Sequence, residues 1–206
     1  MDETANYIAN FLSIDNRQLE TIVQEEMNRN DLRPSIGPEV GKLLGLLIRL
    51  MRAQRVLEMG TSLGYSTIWL AQALQTTGGK LVSIEYQENL FEATQRNIAQ
   101  AGLADVVELI QGDARVIIDQ VHGPFDMIVQ DSDKSLYPLL LERSIALTRK
   151  FGILVADDAL FKPRGIPAAF SEPMHDYNQR VFADTRLYST ILPIGDGVTL
   201  SVKLCD

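Results

Sequence analysis

Cysteine and long apolar runs are the clearest shortages in this chain of 206 residues. Its single cysteine, Cys205, excludes an internal disulfide framework and a zinc cluster of thiolates. Charged residues interrupt the apolar runs well short of a membrane span, and the amino terminus, Met1-Asp2-Glu3-Thr4, is acidic where a secretory signal is basic. These absences predict a cytoplasmic protein with no membrane partner.

An excess of positive charge is also missing. The chain has 27 acidic and 19 basic residues, which gives a formal net charge of −8 at pH 7. Because a nucleic-acid backbone is itself anionic, this balance argues against a nucleic-acid partner and favours a small molecule. Hydrophobic residues make up 46% of the chain, enough for one substantial core, and no repeat or linker divides it. We therefore predict a single domain over residues 1–206.

Short β-branched runs alternate with helical patterns from Gln54 onward. The predicted strands cover residues 55–59, 81–86, 106–110, 125–131 and 152–157. This alternation is typical of parallel strands joined by helical crossovers. Residues 187–193 and 198–204 flank Gly195-Asp196-Gly197, which predicts an antiparallel hairpin whose glycines adopt positive φ. The sequence thus predicts an α/β protein whose seven-stranded sheet is mostly parallel, with helices on both faces and an antiparallel edge.

The first 51 residues precede the sheet and have mainly helical spacing. We predict amphipathic helices over residues 6–12 and 18–27, a loop over 33–38 and a leucine-rich helix over 39–51. These helices could cover the site or a dimer face, and the leucines of residues 43–50 are equally explicable as core. Residues 52–206 then form the cofactor-binding sheet core. Residues 161–173 are predicted to be a loop that contacts the acceptor.

A glycine-rich turn, Glu58-Met59-Gly60-Thr61-Ser62-Leu63-Gly64-Tyr65-Ser66, follows the first predicted strand. Its Gly-x-x-x-Gly spacing differs from a dinucleotide fingerprint, and Glu58 disfavours a pyrophosphate but suits a ligand with an amino group. At the ends of the next two strands, Glu85 could accept hydrogen bonds from ribose hydroxyls, and Gly112-Asp113-Ala114 could hold an adenine edge. Each feature alone could be an ordinary turn or solvated acid. Together, at successive strand ends, they favour an adenosine-containing cofactor.

Aspartates also end the fourth and fifth predicted strands, at Asp131 and at Asp157-Asp158. Open α/β sheets bind ligands at these carboxyl ends, so the aspartates indicate a metal beside the cofactor. Oxygen ligands suit a hard ion, and we expect Mg²⁺ or Mn²⁺, with Ca²⁺ as a further candidate. The ordinary alternative is a surface ion pair between Asp131 and Lys134 and a helix cap at Asp157-Asp158. Their position after buried strands argues against that alternative.

Four segments together resemble the cation-dependent O-methyltransferases of the caffeoyl-CoA and catechol type. They are Leu57-Glu58-Met59-Gly60-Thr61-Ser62-Leu63-Gly64-Tyr65-Ser66, Asp131-Ser132-Asp133-Lys134, Ala156-Asp157-Asp158 and Leu192-Pro193-Ile194-Gly195-Asp196-Gly197-Val198-Thr199-Leu200. The match runs from about Pro34 to the carboxyl terminus. The resemblance implies a Rossmann-like class I methyltransferase fold, S-adenosylmethionine with a divalent cation as cofactors, and methylation of one of two adjacent phenolic hydroxyls. It also implies a homodimer.

Site residues follow from the resemblance position by position. Those implied for the cofactor are Ser35, Ile36, Glu58, Gly60 and Ser66 for the methionine part, Glu85 for ribose, Asp113 and Ala114 for adenine, and Tyr65, Tyr86, Gly112 and Asp131 as further contacts. The implied metal ligands are Asp131, Asp157 and Asp158. Lys134 is the implied base and acts with Asp131, and a nearby cation should depress the pKa of the lysine, as a base requires.

Asp158 departs from the family pattern, which usually has Asn at this position. A third carboxylate makes the empty site more negative, so the metal preference could differ, or Asp158 could be only a hydrogen-bonding neighbour. Two other functions fit the same cofactor signature. One is a metal-independent small-molecule methyltransferase, and the other is a noncatalytic cofactor-binding protein. A nicotinamide oxidoreductase fits least, because the glycine spacing is wrong.

Overall fold

A computed structural model describes residues 3–12 and 16–205 of the chain, while residues 1–2, 13–15 and 206 lie outside the described part. The helices are α1 (Glu3–Ala9), α2 (Arg17–Met27), α3 (Gly37–Met51), α4 (Tyr65–Thr77), α5 (Glu88–Gln100), α6 (Ala114–Ile117), α7 (Tyr137–Leu147) and α8 (Ala168–Ala183), with a 3-10 turn at Lys134–Leu136. The strands are β1 (Arg55–Met59), β2 (Lys80–Glu85), β3 (Val107–Gln111), β4 (Phe125–Gln130), β5 (Thr148–Ala156), β6 (Leu187–Leu192) and β7 (Val198–Lys203).

The strands form one seven-stranded sheet in the order β3-β2-β1-β4-β5-β7-β6. The first five strands are mutually parallel, and β7 runs antiparallel between β5 and β6. The predicted mostly parallel sheet with an antiparallel hairpin is therefore confirmed. The hairpin turn has the expected backbone, since Gly195 and Gly197 have φ of 52° and 93°.

The side chains of β1 contribute to a core on each face of the sheet, because successive side chains of a strand point to opposite faces. Val56 belongs to a buried cluster that contains side chains of α2, α3, α4 and α5. Leu57 and Met59 belong to a second cluster, with side chains of α6 and α7. A third cluster packs α7 and α8 together over β5. The prediction of helices on both faces is confirmed.

Three elements depart from the sequence predictions by three residues or more. Helix α1 ends at Ala9 rather than at residue 12. Strand β5 begins at Thr148 rather than at residue 152, because it includes the charged pair Arg149-Lys150, which is not typical of a buried strand. The predicted loop over residues 161–173 is wrong in its second part, because α8 begins at Ala168 and contains Pro173. Burial of Met174, Tyr177 and Val181 in the α7–α8 cluster compensates for the proline.

None of the helices in the described ranges is long and apolar enough to cross a membrane.

A close contact between α3 and α4 gives a test of this packing. A Cβ atom on Gly41 would lie 2.6–2.7 Å from three atoms of the Trp69 indole. Ala is the better helix former by about 1 kcal/mol, but overpacking should outweigh this gain. We expect Gly41→Ala to lower the free energy of unfolding by about 1–3 kcal/mol in urea titrations.

Gly45→Ala is the matched control, one helical turn further along α3. Its Cβ would meet mainly the guanidinium end of the exposed Arg49 side chain, at 3.1 Å, which can shift into solvent, so this substitution should leave stability unchanged or higher. Equal losses in the two variants would contradict a packing effect at Trp69.

Candidate active site

A cavity of about 810 Å³ opens at the carboxyl ends of the parallel strands. It lies where β1 and β4 are neighbours although they are not consecutive, which is the usual ligand position in open α/β sheets. The structure brings most of the sequence-predicted site residues to its wall, namely Ser35, Ile36, Gly60, Ser66, Glu85, Tyr86, Gly112, Asp113, Ala114, Asp131, Lys134, Asp157 and Asp158. The segments at the ends of five strands, β1 to β5, and the loop before α3 therefore share one cavity.

Gly60 makes the cavity possible at its centre. Its φ is +94°, and a Cβ atom here would lie 2.2 Å from the carbonyl oxygen of Asp131. The backbone N–H of Asp131 donates in turn to the carbonyl of Met59, at 2.9 Å. Glycine is required because the end of β4 occupies the space of a side chain.

Glu85 holds the turn that follows Gly60. Its carboxylate accepts hydrogen bonds from the backbone N–H groups of Thr61 at 3.3 Å, Ser62 at 2.9 Å and Gln87 at 2.8 Å. The side chain is buried but reaches the cavity wall. These hydrogen bonds to the turn were not predicted from the sequence, because no residue pattern near Glu85 indicates its partners. Its role toward a ribose stays a prediction.

Two of the predicted cofactor residues, Glu58 and Tyr65, do not line the cavity. Glu58 is fully buried behind the wall and accepts hydrogen bonds from Ser66 at 2.5 Å, Thr67 at 2.6 Å and Ser83 at 2.6 Å. Of these donors, only Ser66 reaches the cavity. Glu58 thus lies behind Ser66 in the described structure, and its role toward the methionine part of the cofactor stays a prediction.

Tyr65 is turned into the core instead of the cavity. Its ring packs edge-on against Trp69, with ring centroids 6.5 Å apart. Both side chains are buried and belong to the same core cluster. Position 65 begins α4, and its side chain follows the helix face that packs on α2 and α3.

Burial raises the pKa of Glu58 to about 7, although its three hydroxyl partners lower it and Asp131 adds a further rise. A buried carboxyl group of this kind is held protonated at pH values where a solvated one is charged. A positive ligand group beside Ser66 would favour its ionised form.

The three predicted metal ligands, Asp131, Asp157 and Asp158, come together. Each offers one carboxylate oxygen, and these atoms lie within 4.8 Å of one another. Asp157 is buried, and its Oδ1 has no hydrogen-bond partner among the described residues. Burial, followed by repulsion from Asp131 and Asp158, raises the pKa of Asp157 well above its ordinary value. A buried oxygen of this kind is costly unless a cation or proton satisfies it.

Lys134 is buried beside the acidic group. Its Nζ lies 3.0 Å from Asp131 Oδ1 and 2.6 Å from Asp158 Oδ2, and donates to the hydroxyl of Tyr137 at 2.9 Å. Burial acts to lower the pKa of Lys134, but attraction by Tyr137, Asp131 and Asp158 outweighs burial, and the net pKa is raised. Without a cation, Lys134 is therefore an ammonium ion that cannot accept a proton.

Tyr137 is a member of the site that the sequence analysis missed. It is fully buried and donates its hydroxyl hydrogen to the carbonyl of Gln130, at 2.8 Å. The only local signal is its spacing, three residues after Lys134, which places both side chains on one side of a helical turn. Tyr137 fixes the Nζ of Lys134 relative to the end of β4.

Asp158 combines an electrostatic and a conformational role. Its φ is +67°, in the left-handed region that Asn and Asp tolerate better than other residues with a side chain. Its carboxylate pairs with Lys134, and burial raises its pKa. The backbone therefore explains why Asn or Asp suits this position, and the ion pair is what the carboxylate adds.

At the far end of the cavity, Asp113 caps α6 and pairs with Arg115. The carboxylate accepts from the backbone N–H of Arg115 at 2.9 Å and from its guanidinium at 2.5 Å. Hydrogen bonding to Arg115 lowers the pKa of Asp113. Arg115, which the sequence analysis did not single out, lines the cavity, as does Tyr86, a residue that is 71% exposed.

The raised pKa of Glu58 predicts a pH effect on stability. The native state keeps this proton while the unfolded chain, with an ordinary value near 4.5, has lost it. Its contribution is full below the unfolded pKa and is lost as the pH rises through the folded pKa. The loss between about pH 5 and about pH 7 amounts to at most about 3 kcal/mol.

Glu58→Gln removes this titration, so its unfolding free energy should vary less over the same pH range. The other acids of the site titrate in both proteins, and the difference between the two pH curves isolates Glu58. Parallel curves from urea unfolding would contradict the raised pKa.

Comparisons with known proteins agree with this geometry. The sequence model described as O-methyltransferase matches residues 10–204. A catechol O-methyltransferase from Niastella koreensis is 35% identical over 181 residues, which cover 82% of this chain and 81% of the relative. Caffeoyl-CoA O-methyltransferase 2 from Petunia hybrida is 31% identical, over 80% of this chain and 74% of the relative.

The solved structures include that of the O-methyltransferase TomG from Streptomyces achromogenes, involved in tomaymycin synthesis, in complex with SAM. The two chains are 29% identical. The match covers 99% of this chain and 100% of TomG, and the TM-score is 0.85. The expected Rossmann-like methyltransferase fold is thus confirmed. The chain belongs to the O-methyltransferase family.

Proposed function

We propose that this O-methyltransferase transfers a methyl group from S-adenosylmethionine to one of two adjacent hydroxyls of a catechol-like small molecule, with a divalent cation bound by Asp131, Asp157 and Asp158. The observation that carries this proposal is the buried Asp157 Oδ1, which has no partner in the described structure and lies within a group of three carboxylates beside the Gly60 turn. A buried carboxylate oxygen in that setting is stable only with a cation or a proton beside it, and three converging carboxylates favour the cation.

The methyl donor is supported by the cavity and by the relatives. The cavity extends from Ser35 and Gly60, past Glu85, to Asp113, and its volume of about 810 Å³ suits an adenosine-containing molecule together with a small acceptor. TomG was solved in complex with SAM. Bound here, S-adenosylmethionine would supply an electrophilic methyl group. The chain's own task is to hold an acceptor oxygen opposite that group at near-attack distance.

The cation is supported by the chemistry of its proposed ligands. All three are carboxylate oxygens, which suit Mg²⁺ or Mn²⁺, and the described residues of the group include no thiolate or imidazole that would favour zinc. Held by these three aspartates, a divalent cation would supply Lewis-acid chemistry that lowers the pKa of an acceptor hydroxyl. The names of the relatives, catechol and caffeoyl-CoA O-methyltransferase, support an acceptor with adjacent hydroxyls.

Lys134 is the proposed proton acceptor, at Nζ. Its raised pKa depends on attraction by neighbouring negative charge, including Asp131 and Asp158. When those carboxylates are neutralised, their part of the attraction disappears, while the burial that lowers the lysine pKa remains. Nζ can then take the proton of an acceptor hydroxyl, with the Tyr137 hydroxyl holding it in place.

Incubation with methyl-labelled S-adenosylmethionine and a catechol panel tests the reaction. We expect label transfer with Mg²⁺ or Mn²⁺, loss of most turnover with a chelator, and no transfer to matched phenols with one hydroxyl. Asp157→Ala should lower kcat/KM by about 100-fold or more, because the buried ligand is lost.

Asp119→Ala is the control for this experiment, since Asp119 lies outside the cavity and pairs with Arg143 on the surface. Chelator-insensitive turnover that survives Asp157→Ala would instead indicate the metal-independent methyltransferase. Binding of S-adenosylmethionine without turnover across the panel would indicate the noncatalytic alternative.

We also propose a homodimer, as the family resemblance implies. Helix α3 buries Val40, Leu44 and Ile48 against the core but leaves Leu46 and Leu50 61% and 78% exposed. An exposed apolar pair on one helix favours a contact with another chain. Light scattering should give the mass of two chains, and Leu46→Glu with Leu50→Glu should give one if α3 forms the contact. A single-chain mass for the unaltered protein would refute the dimer.

A further inference from the structure

Helix α2 contacts both segments that form the methyl-donor side of the cavity, although neither Gln18 nor Glu26 lines the cavity. One end of the helix reaches the loop before α3 through Glu26. The other end reaches the glycine-rich turn through Gln18. The first segment contributes Ser35 to the cavity wall, and the second contributes Gly60 and Ser62.

Within the described ranges, the side chain of Glu26 accepts a hydrogen bond from Ser35. The Ser35 hydroxyl donates to Oε1 of Glu26. This bond holds the side chain of Ser35, and with it the loop before α3, against α2. The hydroxyl hydrogen of Ser35 is therefore directed away from the cavity and toward α2.

At the other end, Gln18 acts through Asn97 of α5. Gln18 Nε2 donates to Asn97 Oδ1 at 2.9 Å, and the buried Nδ2 of Asn97 donates to the carbonyl of Leu63 at 2.8 Å. Between the two ends, Leu19 and Ile22 are completely buried in the main core. The helix is thus fixed to the sheet while its ends hold the two cavity segments.

We infer that Glu26 is a positioning residue for the methyl donor, which it serves by holding Ser35, and that the Ser35 hydroxyl acts in this contact rather than in a bond to the ligand. This inference rests on the proposed function, because it takes S-adenosylmethionine as the occupant of the cavity. A segment ordered before binding loses less conformational entropy when the ligand arrives, so removal of the contact weakens binding. The carboxylates and Lys134 are not part of this network, and the chemical step is therefore independent of it.

Calorimetric titration with S-adenosylmethionine tests the inference on the full chain. We expect Glu26→Ala and Ser35→Ala each to raise the Kd about tenfold, and the double variant to be no weaker than the weaker single one, because the two residues act through one contact. Glu26→Gln keeps an acceptor oxygen and should stay within about threefold of the unaltered protein. At saturating donor, kcat and the acceptor KM should be unchanged in all of them.

Glu25→Ala is the matched control, since Glu25 is the preceding residue of α2 and pairs with Arg29 at 3.3 Å. Its Kd should be unchanged. Additive losses in the double variant, an unchanged Kd in Glu26→Ala, or a loss confined to kcat would each overturn the inference. Should Glu26→Ala fail to fold, Ser35→Ala and Glu26→Gln carry the same comparison. Failure of the unaltered protein to bind S-adenosylmethionine would instead overturn the proposed function.

Discussion

The close approach of two strand ends, at Gly60 and Asp131, is the constraint on which the rest of the site depends. Strands β1 and β4 are neighbours without being consecutive, so a crevice opens between the segments that leave them. Because a Cβ atom on Gly60 would lie 2.2 Å from the carbonyl oxygen of Asp131, the two backbones meet without a side chain between them. The glycine-rich turn and the acidic group thus share one cavity. Any wider separation would divide the proposed donor site from the proposed metal site.

Around the acidic group of that cavity, negative charge exceeds positive charge. Lys134 lies between Asp131 and Asp158 and neutralises part of their charge, whereas Asp157 Oδ1 has no partner in the described structure. Burying carboxylates together is unfavourable, and the raised pKa of Asp157 reflects that cost. A cation would be favoured twice, once by its own bonds and once by relief of this repulsion. The same relief would release Lys134 from the attraction that keeps it protonated.

The cavity wall could be predicted from sequence because it is made at strand ends. The strand boundaries were correct within about a residue at Glu85, Asp131 and Asp157, and the carboxyl ends of parallel strands meet at one edge. The position of the Glu58 side chain was harder to predict. In sequence Glu58 precedes the turn, as a ligand-binding acid would, but its side chain lies under α4 and accepts hydrogen bonds from Ser66 and Thr67. Spacing along the chain gives proximity to the turn. The side of the wall on which a residue lies depends on the pleat of β1 and the packing of α4.

The contacts that stiffen the cavity could not be predicted, because their partners are far apart in sequence. Gln18 and Asn97 are separated by 79 residues, and Glu85 is 23 residues from Ser62, so no local period relates them. The acidic and glycine motifs that indicate the reaction are each continuous in sequence. The polar groups that hold those motifs in place come from distant parts of the chain and are brought to them only by the tertiary fold. A variant that keeps every motif can therefore still lose ligand affinity. Helix α2 is the clearest example, since it holds two walls of the cavity and carries none of the motifs.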